Sequence, residues 1–156
     1  MTVFLVRHAS AGTRDHTDPG DGERILDATG TLQAEQLAEW LRHEDVRRII
    51  SSPIRRCAQT VEPLAKLLDL PVEVDHRLGE GSELSAAWAA LTDAATSEGD
   101  TVLCSHGDLI PELISRLRRR GMQVPGRSGC SKGSTWVLQH WDGERFATGL
   151  YTPVKA

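Results

Sequence analysis

Two histidines and several arginines in this 156-residue chain stand where apolar runs stop. VFLVRH ends on Arg7 and His8, VRRIISSPIRR runs through Ser51 and Ser52 to Arg55 and Arg56, and TVLCSH ends on Ser105 and His106. Such residues converge if the apolar runs are neighbouring parallel strands, because their carboxyl ends open on one crevice. A neutral imidazole attacks phosphorus when one ring nitrogen is unprotonated and the other is held by a donor bond, so His8 is the candidate nucleophile. Arg7 beside it presents fixed donors to phosphate oxygens. His106, as an imidazolium, would neutralise charge on the equatorial oxygens during transfer. Gly107 permits close backbone approach, and a helix predicted over residues 107–120 would direct its first amides at the same anion.

Two choices stay open on the pattern alone. Arg55 and Arg56 point about 100° apart on a helix, so one enters the site and the other faces solvent. A leaving oxygen also needs a proton, and a carboxylic acid positioned to give it is worth about 10²–10⁴ in rate. Glu80, in the polar loop RLGEGSE, is one candidate. Glu83 is the competitor, although its place resembles an early helix residue favoured by the dipole. The absent motifs narrow the chemistry. There is no Gly-Lys phosphate loop, no Cys-x5-Arg around Cys57, Cys104 or Cys130, and no HExxH, so the reaction requires neither metal nor cofactor. A metal centre built from His8 and His106 with His16 or His76 lacks carboxylate partners and leaves both arginines unused.

Strands over residues 2–7, 46–51, 71–75 and 101–105 alternate with helices over 29–43, from Ser52–Pro53 onward to Leu68, over 84–91 and over 107–120. Thr29 and Ser52 are the expected caps, and Pro63 is expected to kink or divide its helix. Two further strands, 134–141 and 145–151, flank an Asp142–Gly143 hairpin signal. This order predicts an α/β three-layer sandwich, with a largely parallel central sheet and helices on both faces, in a single domain over residues 1–156. The loop over residues 10–23 is long enough to be functional. At 39% hydrophobic and 26% charged residues, with a net charge of −4, the chain is neither disordered nor membrane-spanning. A broad nucleic-acid-binding face is disfavoured, while a cleft can still concentrate positive potential. The N-terminus enters a strand at once, without signal-peptide character, and the three cysteines match no disulfide or zinc framework; both point to the cytoplasm.

The motifs together resemble the histidine phosphatase superfamily, which includes phosphoglycerate mutases and small SixA-type phosphohistidine phosphatases. VRHASA is similar to its opening Arg-His motif, RILDATGTLQA to its Arg-x-Leu…Gly-x-x-Gln-Ala segment, SSPIRRCAQT to Ser-Ser-Pro-x-x-Arg-x-x-Gln-Thr, RLGEG to the Leu-x-Glu that carries the acid, and CSHGDLI to the second histidine motif. The resemblance implies a phosphoglycerate mutase-like fold. It implies a phosphoryl group carried transiently on His8 and held by Arg7, Arg56 and His106, with Glu80 as the acid. It thereby selects Arg56 over Arg55 and Glu80 over Glu83. Ser10, Arg24 and Lys132 are the further candidate substrate contacts. The implied activity is metal-independent hydrolysis of a phosphate monoester or phosphohistidine. Its substrate would be a phosphorylated small molecule, a nucleotide or a phosphoprotein. Mutase activity and non-catalytic phosphate binding are the weaker readings. The short stretch between Val61 and Cys104 implies a pocket without the helical roof of larger members. Nothing in the sequence sets an oligomeric state.

Overall fold

The computed structural model describes residues 1–15 and 17–154; His16 lies outside the described residues. Its centre is one six-stranded sheet built from β1 (Thr2–Arg7), β2 (Val46–Ser51), β3 (Val72–Val74), β4 (Asp100–Ser105), β5 (Thr135–Trp141) and β6 (Phe146–Thr152), in the order β3-β2-β4-β1-β5-β6. The first four strands in that order are parallel, and β5 and β6 add antiparallel at the β1 edge. Helices α1 (Ala28–Leu41), α2 (Arg55–Leu68), α3 (Leu84–Ala95) and α4 (Ile110–Arg119) cover both faces.

Strand β1 shows why the sandwich has three layers. Phe4 and Val6 project into a core shared with Leu37 and Leu41 of α1 and Val61 and Leu64 of α2. Val3 and Leu5 project the other way, onto Leu91 of α3 and Leu113 and Leu117 of α4. A strand whose alternate residues are all apolar satisfies two helical layers at once. Among the described residues no helix is long and apolar enough to cross a membrane.

Several local expectations are corrected. Asp27, not Thr29, caps α1: its carboxylate accepts from the Gly30 amide at 2.8 Å, which places Thr29 inside the helix. Helix α2 starts at Arg55 rather than at Pro53, and Ser52 Oγ accepts from the Ile54 amide just ahead of it. Pro63 does not divide α2, which is continuous from Arg55 to Leu68. Helix α4 starts at Ile110 instead of Gly107; residues 107–109 form a turn whose Leu109 and Ile110 amides both bond to His106 O. Pro111 in the first turn suits that later start. The hairpin turn spans residues 142–145, closed by Asp142 N to Arg145 O, with the Asp142 carboxylate accepting from the Glu144 and Arg145 amides.

Candidate active site

The parallel register aligns Arg7 with Ser105 across β1 and β4, and Ser51 with Cys104 across β2 and β4. Continued by one residue, that register sets His8 beside His106 and Ser52 beside Ser105, all at the carboxyl ends of three neighbouring strands. Backbone bonds continue the ladder past the strand ends, from His8 N to Ser105 O at 3.1 Å and from Ser52 N to Cys104 O at 3.0 Å. Both histidines are buried, His8 at 5% exposure and His106 at 2%, with ring centroids 5.4 Å apart.

The tautomer of His8 follows from its partner. Nδ1 lies 2.9 Å from Ala9 O; a carbonyl only accepts, so Nδ1 carries the hydrogen and Nε2 keeps its lone pair. Burial, reinforced by the charges of His106, Arg56 and Arg7, pushes the His8 pKa down to about 3 despite the opposing bond to Ala9 O. His8 is thus neutral at physiological pH with Nε2 available for attack. The backbone around it is fastened by distant segments. Ala9 N donates to Thr60 Oγ1 at 2.9 Å, and Gly133 N donates to both Arg7 O and His8 O. The Lys132–Gly133–Ser134 segment, whose role the sequence did not disclose, is this turn; Gly133 adopts a φ of +78°, in the region that favours glycine.

Around His8 stand three buried nitrogens that have no hydrogen-bond partner among the described residues: Arg7 Nε, Arg56 Nε and His106 Nδ1. Their side chains are otherwise anchored. Arg7 donates to Cys130 O at 2.6 Å. Arg56 donates to Glu80 Oε2 at 2.8 Å and to Asp21 O at 3.3 Å. His106 Nε2 lies 2.9 Å from Ser52 Oγ, with Cys57 Sγ at 3.5 Å. When Ser52 gives its hydroxyl hydrogen to Nε2, the imidazole hydrogen sits on Nδ1. Buried donors normally find acceptors; three orphans beside one nucleophilic nitrogen match the oxygens of a phosphoryl group. Gly107 makes the set possible, because a Cβ there would lie 2.8 Å from Arg7 Cζ.

These residues line a cavity of about 300 Å³ together with Arg14, Arg24, Glu80, Asp108 and Lys132. Three larger grooves lie elsewhere, about 720 Å³ beside Trp136 and Cys130, about 620 Å³ between α1 and the β5–β6 hairpin, and about 340 Å³ beside Trp88 and Trp141. Among the described residues none of them gathers buried charged groups, so the smaller cavity is the candidate for chemistry. Arg56 is 2% exposed and lines it, while Arg55 faces solvent. Glu80 lines it, while Glu83 is exposed at the start of α3. Lys132 reaches it. Arg24 does too, but its guanidinium is committed to Ala11 O, Gly12 O and Asp21 Oδ1. Ser10 does not line the cavity: its hydroxyl donates to Asp27 at 2.7 Å and its amide to Gln33 at 2.9 Å. Gly30 lies directly against Ser10 O, where any Cβ would overlap. Between α2 and β4 the described chain builds only β3, a 3-10 turn over His76–Leu78 and α3.

Sequence reasoning missed Arg14 and Asp108. Arg14 pairs with Glu80 at 2.6 Å, and Asp108 accepts from the Gly81 amide at 2.9 Å, so the two brace the Glu80 loop from different sides. Asp108 stands two residues beyond His106 and was within reach of a motif reading. Nothing in the order of residues 10–24 marks Arg14 above its neighbours.

A family model for the histidine phosphatase superfamily (branch 1) matches residues 3–86. The chain is 36% identical over 155 residues to the 8-oxo-(d)GTP phosphatase of Mycolicibacterium smegmatis, covering 97% of this chain and 48% of that protein. It therefore spans about half the length of that relative. It is 30% identical over 123 residues to phosphohistidine phosphatase SixA of Escherichia coli, covering 75% of this chain and 74% of that one. The solved structure of the protein histidine phosphatase SixA complexed with tungstate aligns with a TM-score of 0.74 over 98% of this chain and 95% of that chain, at 23% identity, which shows a shared fold. With a family model over more than half its length and these relatives beside it, the chain belongs to the histidine phosphatase superfamily, among its SixA-like members.

Proposed function

We propose that this chain is a metal-independent phosphatase that carries the phosphoryl group on His8. The observation supporting this most directly is the lone pair on His8 Nε2 surrounded by the three unpartnered donors of Arg7, Arg56 and His106. Nε2 attacks phosphorus in line, the P–O bond to the leaving group breaks, and its electron pair stays on the leaving oxygen. Charge on the transferring oxygens is met by Arg7, Arg56 and His106, whose positions are fixed before substrate arrives. Glu80, at the cavity edge, supplies the proton for an ester leaving oxygen. Water then attacks the phosphohistidine and returns a proton to Glu80, the P–N bond breaks, and phosphate leaves with His8 neutral again.

The substrate is a phosphorylated small molecule, nucleotides included, in keeping with the 8-oxo-(d)GTP phosphatase among the relatives. A phosphohistidine protein is the second reading, favoured by the likeness to SixA. The test is p-nitrophenyl phosphate hydrolysis. We expect it to persist in EDTA, to vanish in His8→Ala, and to leave acid-labile label on His8 after rapid quench with radioactive donor. Turnover without labelled His8 would overturn the proposal.

A further inference from the structure

The cavity holds more positive charge than one phosphoryl group uses. Of its five cationic side chains, Arg7 and Arg56 carry the buried unpartnered nitrogens of the phosphoryl cradle, and Arg24 is anchored through Nε and Nη1 on Ala11 O, Gly12 O and Asp21. Arg14 and Lys132 remain. Lys132 is half-buried and has no ion-pair partner among the described residues. Arg14 is engaged, but at the rim: its side chain is 52% exposed, against 26% for its partner Glu80 and 2% for Arg56 on the far side of that carboxylate.

Resting on the phosphohistidine reading above, we propose that Arg14 and Lys132 form a second anion subsite, and that the enzyme removes the terminal phosphoryl group of a diphosphate. Arg14 rests on Glu80 at the cavity rim. A substrate's second phosphoryl group, linked to the first through one bridging oxygen, competes with Glu80 for Arg14, and phosphate oxygens accept from a guanidinium fork as well as a carboxylate does. Arg14 is exposed enough for its ion pair to contribute little by itself, so the exchange is easy. In the chemical step His8 Nε2 bonds to the terminal phosphorus and the P–O bond to the bridging oxygen breaks. The departing monophosphate keeps that electron pair, with Arg14 and Lys132 beside the charge that develops on it. Water later releases inorganic phosphate from His8 and the remaining proton passes to solvent. At about 300 Å³ the cavity takes the two phosphoryl groups, and the rest of the molecule lies beyond the rim. A phosphohistidine side chain has no second phosphoryl group and leaves Arg14 on Glu80.

The experiment compares Arg14→Gln and Lys132→Gln with the wild-type chain. Two ratios are measured in EDTA: kcat/KM for a nucleoside diphosphate over that for p-nitrophenyl phosphate, and the inhibition constant of inorganic phosphate over that of methylene diphosphonate. We expect both ratios to fall about tenfold in Arg14→Gln and by a smaller factor in Lys132→Gln, the scale of losing hydrogen bonds to a charged partner. A wild-type enzyme with no preference for the diphosphonate over phosphate, or an Arg14→Gln variant that slows both substrates equally, would overturn the subsite. Failure of the underlying phosphatase reading looks different: p-nitrophenyl phosphate itself is not turned over, or His8 is not labelled.

Discussion

If burial keeps His8 uncharged, that imidazole makes its own contribution to how stability depends on pH. Its ordinary pKa is 6.5, and in the fold it is pushed down to about 3. Below pH 6.5 the unfolded chain therefore takes up a proton that the folded chain refuses. The contribution is fully present above the unfolded pKa and is lost as pH falls towards the folded one. A site with these two pKa values loses about 2 kcal/mol of stability between about pH 7 and pH 5. For a domain of this size that lowers the urea midpoint by about 1 M. The carboxylates held below their usual range by hydrogen bonds, Asp15, Asp21, Asp27, Glu73, Asp75 and Asp142, act in the same direction. Their loss begins at lower pH, since ordinary carboxylates titrate near 4. The assay is urea unfolding at pH 7, 6 and 5 for the wild type and His8→Asn, whose difference isolates the imidazole. We expect the variant to lose about 2 kcal/mol less over that range. Parallel pH dependence in the two proteins would refute the argument that desolvation keeps the nucleophile neutral.

Other outcomes follow from single contacts. Gly107→Ala drives the Arg7 guanidinium out of place; kcat/KM for p-nitrophenyl phosphate should fall about 10²-fold, as for other lost anion donors, with the melting temperature nearly unchanged. Gly30→Ala puts a methyl group into Ser10 O and should destabilise by about 2–3 kcal/mol in chemical unfolding, the scale of overpacking. Ser52→Ala leaves His106 Nε2 without its 2.9 Å partner, and kcat should drop about tenfold with KM changing less. Thr60→Val keeps shape but removes the acceptor of the buried Ala9 amide; unfolding should show a cost of about 1–3 kcal/mol, and an unaffected variant would mean that amide has another partner.

How much of this was legible beforehand depended on how local the signal was. The β1, β2 and β4 runs announce buried parallel strands through composition alone, and parallel strands must end together, so His8 and His106 could be paired without coordinates. The Gln59–Thr60 pair was visible as a motif but not as a function. Its roles, Gln59 Oε1 accepting from Leu26 N and Thr60 Oγ1 accepting from Ala9 N, join segments 33 and 51 residues apart. Arg14 was hidden for the same reason: its partner Glu80 belongs to another loop, and no periodicity connects two loops. Cap placement failed at Thr29 because Thr29 and Asp27 are both competent cap residues two positions apart, and the choice fell to Asp27, which also receives Ser10 Oγ and the Gly12 amide.

The bond from Arg7 to Cys130 O spans 123 positions of chain, and the turn at Gly133 clasps the same strand end. A nascent polypeptide therefore has β1 and His8 outside the ribosome long before the segment that steadies Arg7 has been translated. Contacts of such separation must wait for loop closure, which slows assembly. Competence for turnover should arrive late and abruptly during biosynthesis, so that stalled or prematurely released fragments stay inert towards the cell's phosphorylated metabolites.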